Sequence, residues 1–358
     1  MEKIARSVAE IALISASAGD ITKDTVLELL RSERSRLFQA ANDVRLAHMG
    51  DDVYLRGIVE FSNICANDCL YCGIRRSSRT TNRYRIALDD ILAVARRMET
   101  WKQSTIVLQS GEAPSPVEDR RIGDIVRRIK AETTLAVTVS AGNRPRDVYA
   151  HWRDCGMDRY LLRFETSDPR LFAYLHPDCT LAERLRCLGD LKSLGVQVGG
   201  GFMIGVPGEN LEILADNILL CRDLDLDMIG IGPFISHPET PLADHANAYA
   251  GDTEMFFVAM AVLRLVNPDS HIPATTAFDA VFPHHGRDLC LSRGANVFIP
   301  NNTPSQYRKD YQLYPNKPCV DETDGQCSQC VTARIWALGR TIGDGPGHSR
   351  KIIPRWAD

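Results

Sequence analysis

From about residue 51 onward the chain alternates between two hydrophobic periods. Short runs that are apolar or β-branched at most positions recur at 55–62 (LRGIVEFS), 104–110 (STIVLQS), 135–140 (LAVTVS), 159–165 (RYLLRFE), 196–205 (VQVGGGFMIG), 227–235 (DMIGIGPFI), 271–277 (HIPATTA) and 295–300 (ANVFIP). Between them lie stretches with apolar positions three and four apart, such as LDDILAVARRMETW, VEDRRIGDIVRRIKAE, LAERLRCLGDLKSLG and NLEILADNILLCRDLD. Runs without strict alternation suit strands covered on both faces, and the 3.6-residue period suits amphipathic helices. Eight β/α units in order predict one closed parallel (β/α)8 barrel over residues 51–300. Residues 1–50 read as a helical extension, with Thr22 as an N-cap and Gly50 as a stop. Residues 301–358 form a C-terminal extension.

In such a barrel, chemistry sits where the strands end. The first run leads into a cysteine loop, the second into QSGE (109–112) and the third into SAGNR (140–144). The fourth carries Arg163 and Glu165, the sixth ends in SHPET (236–240), the seventh in Thr275 and Thr276, and the eighth in PNNTPS. One mouth of the barrel is therefore expected to collect the polar groups. Arg163 and Glu165, two apart on one strand, point to the same side of it. If that side is the lumen, the two charges need partners, either each other or a bound molecule.

Composition narrows the possibilities. The chain has 358 residues, 44% hydrophobic and 25% charged, and a formal net charge of -4, which gives no basic field for nucleic acid. Its first residues lack a membrane span and the layout of a signal peptide, so the expectation is a cytoplasmic protein. Eleven cysteines are many, and six fall in two tight groups, which favours metal or cluster ligation over disulfides. Cys155, Cys179, Cys187, Cys221 and Cys290 are scattered in apolar or helical surroundings and read as small core residues.

The first group, Cys65, Cys69 and Cys72, lies in FSNICANDCLYCGIRR. A structural zinc site closes with four ligands, and no fourth cysteine or histidine stands near this loop. Three thiolates on a 4Fe–4S cubane leave one iron open for a cofactor. The CxxxCxxC spacing with an aromatic residue before the last cysteine resembles the radical S-adenosylmethionine (SAM) superfamily. That resemblance implies a 4Fe–4S cluster on Cys65, Cys69 and Cys72, with SAM chelated to the open iron and cleaved to a 5'-deoxyadenosyl radical. It places Tyr71 near the adenine and Gln109, Ser110, Gly111 and Glu112 at the methionine amino group. A backbone acceptor backed by Glu112 suits an ammonium donor. GGGFMIGVPGEN (199–210) resembles the superfamily's adenine-contacting strand.

Longer stretches carry a closer resemblance. LRGIVEFSNICANDCLYCGIRR, TIVLQSGE, DRYLLRFET, IGIGPFISHPETPLA, IPATTA and TPSQYRKDYQLYPNKPCV together resemble the HydE family, radical enzymes of FeFe-hydrogenase maturation. Methylornithine synthase shares the CLYCG signature but not the HPETPL and YQLYP blocks. The resemblance implies action on a cysteine-bound Fe(CO)2CN precursor during assembly of the H-cluster diiron subsite. It implies cofactor contacts at Thr138, Ser140, Arg163, Glu165 and Arg184, with Met228 near the adenosyl end, and substrate contacts at Arg159, Thr275, Thr276 and Tyr314. It also implies a ferredoxin- or flavodoxin-type electron donor and the other maturases, HydG and HydF, as partners. A radical mutase acting on an amino acid, a HydE-like paralog with another small substrate, and an iron–sulfur carrier are the alternatives. QSGE and the Arg163–Glu165 pair speak against a carrier.

Two features depart from the family pattern or stand outside the barrel. After the paired threonines the chain reads AFDAVFPHHGRD, which brings Asp279, His284 and His285 to a segment that is smaller and glycine-rich in the family; the histidines read as solvated surface or as a modifier of the mouth. Cys319, Cys327 and Cys330 form the second group, beyond the eighth strand. Their spacing fits zinc or a second iron–sulfur cluster, and the resemblance implies an auxiliary surface cluster, 2Fe–2S or 4Fe–4S.

Overall fold

The computed structural model describes residues 21–321 and 324–351, with backbone only for 324–329. Its strands are β1 (Asp52–Ser62), β2 (Thr105–Ser110), β3 (Ala136–Ser140), β4 (Arg159–Leu161), β5 (Gln197–Gly200), β6 (Met203–Ile204), β7 (Met228–Ile229), β8 (Gly232–Pro233), β9 (Pro273–Ala274), β10 (Val297–Phe298) and β11 (Thr341–Ile342). Eight of them run parallel in the order β7-β5-β4-β3-β2-β1-β10-β9, and a parallel bridge between Met228 and His271 joins the two edges. The result is a nearly closed (β/α)8 barrel whose strands match the eight apolar runs. β6 pairs with β8 as a short extension of the fifth and sixth runs, and β11 pairs with the start of β1.

Strand alternation decides what lines the lumen. Val53, Leu55, Val59 and Phe61 of β1, Ile106 and Leu108 of β2, Val137 and Val139 of β3, and Tyr160, Leu162 and Phe164 along β4 and just beyond it all join the apolar layer between strands and helices. Their alternate neighbours, Arg56, Thr105, Gln109, Thr138, Arg159 and Arg163, therefore face inward. The outer helices cover the strands with apolar faces, as in Leu88–Thr100, which buries Ile91, Leu92, Val94, Ala95 and Met98. Met255–Val266 is buried along its whole length because the helix Arg34–Met49 packs over it. In the N-terminal extension Thr22 caps the helix Lys23–Leu30 by accepting from the Thr25 N–H, and Gly50 ends Arg34–Met49 at φ +74°.

The fourth run departs from expectation. β4 ends at Leu161, and Glu165 adopts φ +62°, a region costly for a residue with a side chain. Phe164 and Glu165 both donate backbone N–H groups to the Gly201 carbonyl, at 2.9 and 3.1 Å, so the chain kinks there. The pairing of Arg163 with Glu165 thus arises from a kink, because simple alternation has ended before Glu165.

The amino-terminal end of the lumen is closed by the chain itself. Arg56 donates to the Gly347 carbonyl at 2.9 Å, and Arg159 donates to the Pro346 carbonyl and to His348 Nδ1, both at 2.9 Å. Gln197 reaches the same His348 nitrogen at 3.1 Å and accepts from the Ser349 N–H. Because His348 Nδ1 receives two donors it is the unprotonated nitrogen, and burial lowers the imidazole pKa to about 4.

Candidate active site

The loop after β1 is built before any metal is considered. Asn63, fully buried, donates to the Asn82 and Asp310 carbonyls at 2.7 Å each and accepts from the Tyr84 N–H. Arg83 donates to the carbonyls of Asn63, Ile74 and Arg75, and Asp68 accepts from Arg75, Arg76 and the Ser77 N–H. Gly73 is required: a Cβ there would lie 2.1 Å from the Gln312 carbonyl oxygen. These contacts hold Cys65, Cys69 and Cys72 at the mouth, each half-buried and unpaired by disulfide.

Burial pushes all three thiols up, Cys72 to about 12, and each feels the charge of neighbouring groups. A bound iron reverses that balance by stabilising the thiolate. Among the described residues no three His, Cys, Asp or Glu side chains converge on one ion position. A cubane asks for a different arrangement, because its three thiolates each bind a different iron and stand apart.

Beside this loop the upper lumen holds charged groups with unused hydrogen-bonding capacity. Arg163 Nη2 and Glu165 Oε2 are 3.0 Å apart, yet neither makes a well-directed hydrogen bond; Arg163 Nε, Arg184 Nε and Thr138 Oγ1 are also buried and unbonded among the described residues. Burial raises the Glu165 pKa against the pull of Arg163 and Arg184. Glu112 is set by three contacts: its carbonyl accepts from the Ala66 N–H at 2.6 Å, and its carboxylate accepts from the Asn143 N–H at 3.0 Å and lies 4.0 Å from Arg184. Gly142, at φ +83°, leaves room for that carboxylate, which a Cβ would meet at 2.1 Å. Donors and acceptors without partners in one buried space fit a zwitterionic amino acid joined to a ribose, so the residues present suit SAM.

The other expected residues fall into three places. Tyr71 and Ser140 lie at the mouth, while the Gln109 amide is taken by the Tyr311 hydroxyl at 3.2 Å and the Ser110 hydroxyl by the Gly111 carbonyl. Thr276 and Tyr314 share a 2.6 Å hydroxyl contact on the far wall, with burial pushing Tyr314 up to about 12, and Thr275 donates to the Ile231 carbonyl. Arg159 and Met228 differ from expectation. Both begin their strands at the amino-terminal end of the barrel; all three Arg159 nitrogens are bonded to the chain, and Met228 Sδ accepts from Arg56 at 2.8 Å. Arg159 is thus committed to the floor of the lumen, and Met228 lies beside it rather than at the mouth.

Several residues of the site escape sequence reasoning. His176, at the end of the helix Pro169–Leu175, lies with Nδ1 3.3 Å from Cys69 Sγ and Nε2 3.3 Å from the Tyr71 hydroxyl, and stacks on Phe172. Burial lowers its pKa to about 3, so it is neutral. Glu60 and Lys317 form a buried ion pair where the tyrosine-rich segment crosses the mouth. Cys179 packs at the edge of the core, half-buried, with its sulfur 3.7 Å from Arg184 Nη2. The alternating LRGIVEFS run could have flagged Arg56 as an inward charge, but nothing local marks His176.

Asp279 is buried and binds Arg287 and Arg334, whereas His284 and His285 are exposed. Arg334 lies on the helix Asp324–Ala337 that carries Cys327 and Cys330, so Asp279 ties the second cysteine segment to the barrel. Cys330 is exposed and Cys319 half-buried; the Cys327 side chain lies outside the described residues. No helix among the described residues is long and apolar enough to cross a membrane.

A three-thiol loop at the mouth of a nearly closed (β/α)8 barrel, above buried unbonded charges, defines a radical SAM protein, and residues 59–221 match the Radical SAM superfamily. The chain is 44% identical over 338 residues to the FeFe-hydrogenase maturase subunit HydE of Thermotoga maritima, covering 93% of this chain and 95% of that one. On that similarity the chain belongs to the HydE family. It is 29% identical to 3-methylornithine synthase of Methanosarcina barkeri over 76% of each chain. The crystal structure of methylornithine synthase superposes with a TM-score of 0.80 at 24% identity, covering 94% of this chain and 97% of that one, which shows the shared fold.

Proposed function

We propose that this protein is a SAM-cleaving maturase that acts in FeFe-hydrogenase H-cluster assembly on a cysteine-bound Fe(CO)2CN precursor. The observation that carries the reading is the juxtaposition of the three-thiol loop with the unbonded Arg163, Glu165 and Arg184 atoms. When bound, a 4Fe–4S cluster supplies the electron that splits SAM into methionine and a 5'-deoxyadenosyl radical.

Cys65, Cys69 and Cys72 would hold three irons. The backbone of Gln109, Ser110 and Gly111, with Glu112, would receive the methionine ammonium. Arg163, Glu165 and Arg184 would divide between its carboxylate and the ribose, with Thr138 and Ser140 below and Tyr71 against the adenine. Thr276 and Tyr314, whose mutual contact leaves one hydroxyl proton free, would donate to the iron precursor's cyanide or carboxylate beside Thr275, whose proton is held by the Ile231 carbonyl, and the floor sealed by residues 346–348 keeps water from entering beneath it. An external one-electron donor and the maturases HydG and HydF are the partners this reading requires. Cys319, Cys327 and Cys330 would hold an auxiliary cluster away from the lumen.

The experiment is anaerobic reconstitution followed by measurement of 5'-deoxyadenosine with reductant, then turnover with the iron–cysteine precursor. C69A should make no 5'-deoxyadenosine. Cleavage at the parent rate by that variant would end the radical reading; cleavage without turnover of the precursor would point to another small substrate.

A further inference from the structure

The segment after the helix Pro169–Leu175 forms a second wall along the cysteine loop. Leu70 N–H donates to the Leu175 carbonyl at 2.9 Å, and Asp68 N–H donates to the Asp178 carboxylate. Between these two ties sits His176, 4% exposed, with Phe172 stacked on one face at a centroid distance of 4.5 Å and Tyr71 edge-on at 5.4 Å. Its two ring nitrogens meet two different groups, Cys69 Sγ and the Tyr71 hydroxyl, at 3.3 Å each.

The tautomer follows from the ligand role of Cys69. A thiolate bound to iron carries no proton, so it can only accept. Nδ1 must then hold the imidazole proton and donate it to sulfur, which leaves Nε2 as an acceptor for the Tyr71 O–H. The three groups form a directed chain, Tyr71 to His176 to Cys69.

We infer that His176 is a positioning residue that donates a hydrogen bond to the Cys69 sulfur, raises the reduction potential of the cluster, and fixes Tyr71 in the orientation used against the cofactor. The reduced cluster carries more negative charge on its sulfurs than the oxidised one, so an N–H donor stabilises the reduced form more. A second-sphere donor of this kind also restricts how the ligand can turn. The inference rests on the cluster reading above.

The test is a potentiometric titration of the reconstituted holoenzyme, followed by the EPR signal of the reduced cluster, in the parent, H176F and H176Q. Phenylalanine keeps the stack on Phe172 and removes the donor, whereas glutamine keeps an N–H. H176F should have a more negative midpoint, with about a tenfold smaller reduced-to-oxidised ratio at a fixed solution potential, equivalent to about 59 mV for a one-electron couple. H176Q should recover most of that shift. A parent midpoint in H176F overturns the inference. If H176F assembles less iron than the parent, H176L carries the test, since leucine likewise removes the donor to Cys69; a parent midpoint there overturns the inference equally. Failure of the parent to assemble a cluster would instead sink the functional reading itself.

Discussion

Replacing Asp279 with Asn should destabilise the protein by about 3 kcal/mol, and the structure shows where that figure comes from. The carboxylate accepts from Arg287 N at 2.8 Å, Arg287 Nε at 2.5 Å, and Arg334 Nη1 and Nη2 at 3.0 and 3.3 Å. The Asp279 and Arg287 side chains are each 3% exposed, so D279N strands a buried guanidinium. Breaking a buried pair from one side costs about 3–5 kcal/mol. The lower end applies, because Arg334 keeps Asp288 at 2.8 Å and Arg287 keeps the face of Phe298 at 4.2 Å. With an m-value of about 3 kcal/mol/M or more, the urea midpoint should fall by up to about 1 M. Burial pushes the Asp279 pKa up, but Arg287 and Arg334 outweigh it and hold the carboxyl below its usual range. A depressed carboxylate contributes stability above its unfolded pKa of about 3.9 and loses it as pH falls through the folded value. The gap between parent and D279N should therefore be constant from pH 7 to 5 and shrink in more acidic solution. Equal midpoints at pH 7, or a gap that widens in acid, would refute the reasoning.

Two further outcomes are expected. E165Q should weaken SAM binding roughly ten- to hundredfold, the equivalent of about 1.5–3 kcal/mol for one charge-assisted bond, while leaving the iron content unchanged; equilibrium binding to the reconstituted protein checks this. Burial raises the Glu209 pKa to about 8 against the Gly205 N–H it accepts at 2.8 Å, so between about pH 4.5 and 8 the folded protein binds the extra proton and stability falls as pH rises; E209Q should flatten that slope in unfolding curves taken from pH 5 to 8.

Much of the barrel was legible because parallel strands covered on both faces must be apolar throughout, and eight such runs in order admit few topologies. The cysteine loop was legible because ligand spacing is local. Glu165 was misread in its backbone: the sequence RYLLRFE looks like one continuous strand, and only the shared Gly201 carbonyl forces the kink. Arg159 was assigned to the substrate because its partners, Pro346 and His348, lie 187 and 189 residues away in a loop-like segment with no periodicity. His176 takes its meaning from Cys69 and Tyr71, more than a hundred residues earlier, and Asp279 gains its tie to the second cysteine segment through Arg334, 55 residues later, so neither role is written in nearby sequence.

The floor of the barrel is made from segments far apart in the chain, and this sets an order of events during synthesis. Arg56 and Arg159 emerge from the ribosome long before Pro346, Gly347 and His348, the groups that satisfy them. At about 5–20 residues per second, roughly ten seconds or more separate the translation of Arg159 from that of its last partners. Until then Arg159 can reach Thr105 and Gln197, and Arg56 the Met228 sulfur, but neither guanidinium has its carbonyl partner on the floor. Enclosure of the reaction chamber from below thus waits for residues that follow the eighth strand, and iron that arrives earlier meets a vessel without a bottom.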